Sequence, residues 1–453
     1  MTKNLSELQR RDAAHHIHPF THNGELAAKG TRIIHEAQGV YLTDGEGRKL
    51  LDGMSGLWCV NLGYGRQELV EAASRQMQEL PYYNSFFQCT TPATVDLAEL
   101  IGQVTPEHMQ HVFFTGSGSE SNDTVVRMVR HYWSSLGQPN KNIIVSRHNA
   151  YHGSTMAGAS LGGMKPIHAQ GGLPIPDISH INQPHWFAEG RDEDPDAYGV
   201  RIAQELEALI NEHGGKRIAA FIAEPVQGAG GVIIPPDSYW PEIQRICTEH
   251  DILLISDEVI CGFGRMGEWF GADYYQTKPD FMPIAKGLSS GYLPIGGVVV
   301  SERVAAVLNQ KGGEFNHGYT YSGHPVCAAV AAECIRIMQR ENIVERVRND
   351  IGPYLQKRWA ELGEHRLVGM ARGVGMLGAL ELVKSREPLR FFEDKGAAGN
   401  VARDQAIENG LVMRAVGSSL IVSPPLIMTE SEVDELVEKA KKTLDATAKI
   451  LGV

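Results

Sequence analysis

Five groups capable of chemistry stand directly behind short apolar runs in the middle of this 453-residue chain. Lys286 follows Phe281–Ala285 and precedes the turn Gly287-Leu288-Ser289-Ser290-Gly291. At the mouth of a sheet, desolvation or neighbouring charge would depress its pKa and leave a nucleophilic amine; on position alone an ordinary surface lysine is the plainer reading. Asp257, followed by Glu258, ends the run Ile252–Ser256 (ILLIS). A carboxylate there is costly unless it meets a cation or strong donor, for instance a protonated ring nitrogen. A helix N-cap, a metal-facing acid or an ion pair from Gly262-Phe263-Gly264-Arg265 would also satisfy it. Behind His111–Thr115 come Gly116, Ser117, Gly118, Ser119 and Glu120, then helix. Glycines that admit a close backbone, two hydroxyls and a helix N-terminus suit a phosphate, although this is neither phosphate-loop pattern of nucleotide enzymes, and a serine-capped turn would look the same. Tyr151-His152-Gly153, after Asn142–Ser146, can stack on a flat ring or pack in a core. Glu224, after Ile218–Ala223, is either a site acid or a cap before Pro225.

Together these groups amount to a phosphate cradle, a buried acid, an amine nucleophile and an aromatic plate. Pyridoxal 5'-phosphate needs that set: a lysine for its aldehyde, an acid for its ring nitrogen, an aromatic ring against its face and donors for its phosphate.

The elements that must hold these groups form an α/β pattern. Strands are expected at His111–Thr115, Asn142–Ser146, Ile218–Ala223, Ile252–Asp257, Phe281–Ala285 and Gly297–Ser301. Between them Val126, Val129 and Trp133, and again Ile202, Leu206, Leu209 and Ile210, recur at helical spacing. The spacing predicts a doubly wound, mostly parallel sheet covered on both faces, with ligands beyond the carboxyl ends of its strands. Ahead of it, Gly39–Asp52 alternates around Asp44-Gly45-Glu46-Gly47, a hairpin signature. Beyond residue 325, helices at Ala328–Arg340 and Ile343–Leu362, short strands near Gly373–Leu382 and Leu411–Val422, and a charged helix from Glu430 to about Ile450 predict a smaller α+β unit. No repeat or low-complexity linker separates the two.

With 42 Lys and Arg against 54 Asp and Glu, the net charge is −12, and no basic run invites nucleic acid or an anionic membrane. Small molecules or a second copy of the chain are the expected partners. The apolar runs Ile218–Ile222 and Ile252–Ile255 fall far short of the roughly 20 residues that cross a bilayer. MTKNLSELQRRDAAHHIHPF lacks the apolar core of an export signal, so a cytoplasmic location is expected. Cys59, Cys89, Cys247, Cys261, Cys327 and Cys334 have no paired spacing and are expected as free, mostly buried thiols. His15, His16, His18 and His22 invite a metal reading, which needs acidic or cysteine partners and a dry cage; a surface arm and no metal is expected.

The segments TGSGSESND (115–123), AYHGST (150–155), AEPVQGAGG (223–231), SDEVICGFGRMG (256–267), AKGLSSGYLPIGG (285–297) and HGYTYSGHP (317–325), with LDGMSGLWCVNLGYG (51–65), resemble the class III pyridoxal-phosphate aminotransferases. Within that class they look most like ω-aminotransferases that pair an amine or diamine donor with pyruvate. The resemblance covers nearly the whole chain. It implies fold type I, a large domain over residues 66–324, a small domain from 1–65 and 325–453, and a homodimer or dimer of dimers with shared sites. It makes Lys286 the Schiff-base lysine and proton shuttle, Asp257 the partner of the pyridine nitrogen, Tyr151 the stacking ring and Glu224 a supporting acid. Ser117, Gly118 and Ser119 would hold the phosphate, joined by the partner subunit's Thr320. Phe20, Trp58 and Phe86 would line the substrate pocket, Phe86 from across the interface, and Arg414 matches a mobile carboxylate-binding arginine. Gly116, Ser121 and Met266 depart from Asn, Ala and Thr in many relatives. The implied reaction is ping-pong transfer of an amino group to pyruvate, giving alanine and an aldehyde or ketone. A decarboxylating transaminase, an aminomutase or a non-enzymatic cofactor carrier are the competing readings.

Overall fold

The computed structural model of the chain describes residues 6–453; Met1–Leu5, the start of the segment read for an export signal, lie outside the described residues. Seven strands form the central sheet: β1 (His111–Thr115), β2 (Ile143–Arg147), β3 (Ile178–Ile181), β4 (Ile218–Ala223), β5 (Leu253–Ser256), β6 (Phe281–Ile284) and β7 (Gly296–Val300). Their order across the sheet is β1-β7-β6-β5-β4-β2-β3. β4 (IAAFIA) is buried along its whole length, as a strand covered on both faces must be. Its neighbours β5 and β2 run parallel to it, as β6 does to β5 and β3 to β2.

Two features depart from the expected sheet. β7 is antiparallel to both β1 and β6, with Gly297 opposite Phe114 and Ile284. The link from Ala285 to Ile295 holds only a short 3-10 turn, Lys286–Ser289, too little for the helical crossover that a parallel return requires. β3 (ISHI) carries two polar residues in four and pairs on one side only, so no apolar run marks it.

Alternation along the strands divides the core. Ile144, Ile222 and Ile255 pack on one face against Val125, Val129 and Trp133 of the helix Gly118–Ser135. Val145, Phe221 and Leu254 face the other way, onto Ile202 and Leu206 of Pro195–His213 and Ile243 of Tyr239–Glu249. Each such aliphatic side chain contributes roughly 1.5–3 kcal/mol by burial, so this sandwich is a rigid base for the loops above it.

Residues from both ends of the chain share a second sheet. The expected hairpin pairs Tyr41–Asp44 with Lys49–Asp52, and Leu411–Val412 joins it in parallel at Leu51. Leu377–Leu382 pairs with Val368–Val374 and Ser419–Val422, and Arg414–Val416 closes that sheet beyond a turn at Gly417, whose φ of +55° suits glycine. The segment expected as one helix over Ile343–Leu362 is helical but not uniform. A π turn, Val347–Ile351, interrupts it just before Pro353, whose ring supplies no N–H and crowds the preceding turn. The last helix, Glu430–Leu451, starts at a Thr429–Glu432 capping box. Cys247, Cys261, Cys327 and Cys334 are buried, Cys59 and Cys89 half-buried, and all six are free. Among the described residues no helix is long and apolar enough to cross a membrane.

Candidate active site

A cavity of about 410 Å³ opens beyond the carboxyl ends of β1, β2, β4, β5 and β6, and each of these strands sends into it the residue expected there: Ser117–Ser119, Tyr151, Glu224, Asp257 and Lys286.

Lys286 begins the 3-10 turn after β6 with φ +44°, a left-handed conformation rare for a side chain of this size. Burial lowers its pKa from the ordinary lysine value, opposed by the Asp257 and Glu224 carboxylates and reinforced by the charge of Arg414. Asp257 is buried at the end of β5, and its carboxylate is gripped from three sides. Oδ2 accepts from Asn122 Nδ2 at 2.9 Å and from His152 Nδ1 at 2.6 Å, and Oδ1 accepts from the Val259 N–H at 3.1 Å. Glu224 accepts from the N–H groups of Tyr151 at 3.1 Å and Gly228 at 2.9 Å, so it fastens the Tyr151 loop to the end of β4. Its burial pushes its pKa up.

The Gly116–Ser119 loop is shaped by its own contacts. Ser117 Oγ caps the helix Gly118–Ser135 by accepting from the Glu120 N–H, and Glu120 in turn accepts from the Gly116 N–H at 2.6 Å. Ser121, a departure from the family pattern, donates to the Ser117 carbonyl at 2.9 Å and so ties the loop to the helix. Gly153, at φ +129°, lies so close to Ser119 that an added Cβ would sit 2.7 Å from its Oγ and 2.8 Å from its Cα. Gly153→Ala is therefore expected to displace Ser119 and to weaken cofactor binding by about tenfold or more, the loss of roughly one charged hydrogen bond. An absorbance titration with pyridoxal phosphate reads this directly.

The other expected residues are distributed differently. Phe20 approaches edge-on to the Tyr151 ring, centroids 6.3 Å apart. Arg414 is half-buried on its short strand; burial lowers its pKa while Tyr151 opposes this, and among the described residues its guanidinium makes no hydrogen bond or ion pair. Trp58 is buried in a cluster with Val226, Ile260 and Met266, of which Ile260 lines the cavity. Met266, another departure, thus fills core space. Phe86 lines a separate cavity of about 410 Å³ with His317, Gly318 and Ser322, and Thr320 is exposed on that same segment, outside the first cavity. The N-terminal histidines do meet an acid: Asp12, His16 and His18 bring ligand-type atoms within 4.8 Å of one another, with His16 exposed. Asp12 is already engaged there by Thr31 and His18, and His15 and His22 lie apart from the cluster.

Two participants escaped the reading of the sequence. His152 counted there only as half of an aromatic pair, and Asn122 sits unmarked one turn into the helix after Ser119. Both hold Asp257 from the cavity wall, and each keeps a buried polar atom, His152 Nε2 and Asn122 Oδ1, without a protein partner.

The residues present fit a phosphorylated aromatic aldehyde: a lysine amine whose pKa burial lowers, an acid locked by donors, a ring wall, and hydroxyls at a helix N-terminus. The model of the class-III aminotransferases matches residues 26–444. The putrescine–pyruvate aminotransferase of Pseudomonas aeruginosa is 60% identical over 442 residues, 98% of this chain and 96% of that protein. Gamma aminobutyrate transaminase 1, mitochondrial, of Solanum lycopersicum is 43% identical, covering 95% of this chain and 84% of its own. The ω-transaminase of Pseudomonas jessenii, solved in complex with PMP, superposes with a TM-score of 0.96 at 39% identity, over 99% of each chain. The chain belongs to the class-III aminotransferase family. It is a pyridoxal-phosphate-dependent aminotransferase of fold type I.

Proposed function

We propose that this enzyme moves an amino group from an amine, diamine or ω-amino acid donor to pyruvate, in two half-reactions at one site, with putrescine-like diamines among its donors. The observation that carries this reading is the meeting of Lys286 and Asp257 in one cavity, with the guanidinium of Arg414 near enough for its charge to act on Lys286 and, among the described residues, in no ion pair. The 60% identity to a putrescine–pyruvate aminotransferase supports the choice of donor and acceptor.

Ser117, Gly118 and Ser119 would hold the cofactor phosphate, Asp257 its ring nitrogen, Tyr151 its face and Lys286 its aldehyde carbon. Bound there, pyridoxal phosphate supplies an aldehyde that takes up the amino group and a protonated ring that withdraws charge from the donor carbon. Asp257, its carboxylate oriented by donors from Asn122, His152 and Val259, would hold the ring proton in place. Lys286 Nζ would take a proton from the donor carbon and return it at the cofactor carbon. Burial, by lowering its pKa, favours the uncharged amine that accepts a proton. Glu224 keeps Tyr151 in register.

A donor without a carboxylate and pyruvate, which has one, must use the same pocket in turn. A fixed cation would repel the second ammonium of a diamine, whereas Arg414, beside the Gly417 turn, can grip a carboxylate bidentately and withdraw. Arg414→Ala is expected to weaken pyruvate by about 1.5–3 kcal/mol, with little change for an amine lacking a carboxylate. Single half-reactions followed by absorbance decide this: an equal loss for both substrates makes Arg414 structural.

The same reading takes residues 66–324 as the large domain, 1–65 with 325–453 as the small one, and a homodimer or a dimer of dimers, located in the cytoplasm, as the working assembly. Phe86 packs against Gly318, Tyr82 Oη donates to the Thr320 carbonyl at 2.7 Å, and Ser85 Oγ donates to the Ser322 carbonyl at 3.1 Å. Phe86 and Thr320 thus travel as one unit, away from their own cavity and beside the exposed Phe87 and Tyr321, a surface suited to a second copy. Alanine formed from pyruvate only in the presence of an amine donor is the result this function requires.

A further inference from the structure

The N-terminal arm is gathered around one carboxylate. Asp12, in the helix Glu7–His15, accepts from the Thr31 hydroxyl and from His18 Nε2 at 2.9 Å on Oδ2, and from His16 Nδ1 at 3.1 Å on Oδ1. The Asp12 and His18 side chains are only 16% and 18% exposed. Gln9 Nε2 donates to the Thr31 carbonyl at 2.8 Å, and the His18 N–H donates to Asn23 Oδ1 at 2.9 Å. Both ends of the segment between His18 and Thr31 are therefore pinned to one helix. Two residues beyond His18, past the stiff Pro19, stands Phe20 at φ +49°, a strained conformation for an aromatic residue, with 78% of its surface exposed. Its burial is too slight to explain that strain, and its ring stands edge-on to Tyr151.

We propose that Asp12 is a positioning residue: by drawing His18 and Thr31 onto one carboxylate it fixes Phe20 opposite Tyr151, and so gives donors with an apolar body of several carbons a second wall. This rests on the amine-donor reading above. The Thr31 hydroxyl foremost holds the Asp12 carboxyl down at about 2, so Asp12 stays an acceptor at every pH where the enzyme would work. Short amines do not reach the wall and do not sense it.

The test uses the cofactor-loaded enzyme with hexylamine and ethylamine as donors. In Asp12→Ala and in Phe20→Ala the ratio of kcat/KM for hexylamine to that for ethylamine falls roughly tenfold, mainly through KM, and the double variant falls no further than Phe20→Ala alone. Hydrogen exchange of the amides from Ile17 to Asn23 quickens in Asp12→Ala while the visible spectrum of the bound cofactor is unchanged. An unchanged ratio in Asp12→Ala, or additive losses in the double variant, overturns the proposal. Unchanged exchange from Ile17 to Asn23 in Asp12→Ala overturns it independently of any turnover. Absence of all amine turnover in the unmodified enzyme instead removes the donor reading, and with it the wall assigned to Phe20.

Discussion

Replacing Lys286 with alanine is expected to leave a folded protein that still binds pyridoxal phosphate but completes no repeated turnovers. The backbone at this position is left-handed with lysine in place, and alanine meets the same strain, so the loop after β6 should persist. The phosphate cradle, Asp257 and Tyr151 all remain. What disappears is the one lysine amine among the described residues lining the cavity, the group that would hold the cofactor carbon and then carry a proton at the donor carbon. Losing a positioned base costs about 10²–10⁴ in rate, and losing covalent attachment adds to it, so a fall of about four orders of magnitude in kcat is expected. The visible band that bleaches with amine and returns with pyruvate should vanish as well. Full multiple-turnover activity in Lys286→Ala would remove Lys286 from the chemistry.

The pH dependence follows from the same surroundings. Burial and the Arg414 charge lower the Lys286 pKa, so the acid limb of the donor half-reaction should lie below that of a free lysine. Removing a like charge relaxes that shift, so in Arg414→Ala the limb should move toward higher pH.

Asp257→Asn is expected to have the second largest effect. The amide keeps the size and can still face Asn122, His152 and Val259, yet it carries no charge to hold a proton on a ring nitrogen. One of its two polar atoms is now a donor set among donors. Breaking a buried charged pair costs about 3–5 kcal/mol, which corresponds to roughly two to three orders of magnitude or more in kcat. The effect should fall on the proton transfer more than on cofactor binding, so the variant is measured at saturating cofactor in a single donor half-reaction. A near-normal rate in the fully loaded variant would assign Asp257 a structural role only.

The sequence exposes this site well because each chemical group follows an apolar strand. Ile252–Ser256 and Phe281–Ala285 are legible as buried runs, and a parallel arrangement brings their carboxyl ends to one edge, so Asp257 and Lys286 meet without further information. Legibility ends where tertiary approach decides. Asn122 reaches Asp257 from the helix Gly118–Ser135 and His152 from the loop after β2, and no periodicity marks either as its partner. β7 reads as another buried strand, and its reversed direction depends on how little chain lies between Ala285 and Ile295. Family likeness puts Trp58 at the pocket and brings Phe86 and Thr320 to it from a partner subunit; in this chain Trp58 is buried beside Ile260, which lines the cavity, and Phe86 and Thr320 lie outside their own chain's cavity. The Asp12 cluster joins residues whose types are visible in the sequence, yet only the folded arm reveals which histidines meet the acid and that Phe20, two residues past His18, stands edge-on to Tyr151.

The central claim, that one cavity built on Lys286 and Asp257 passes an amino group from an amine to pyruvate in two separable steps, is tested most directly by one stoichiometric experiment. Cofactor-loaded enzyme is mixed with putrescine and freed of excess amine, then given pyruvate while visible absorbance and alanine are followed together. The account predicts that the visible band is lost with putrescine in the absence of any acceptor, and that pyruvate restores it with one alanine formed per site. A band that does not respond to putrescine or any other amine, or that fails to return as alanine appears, would contradict it.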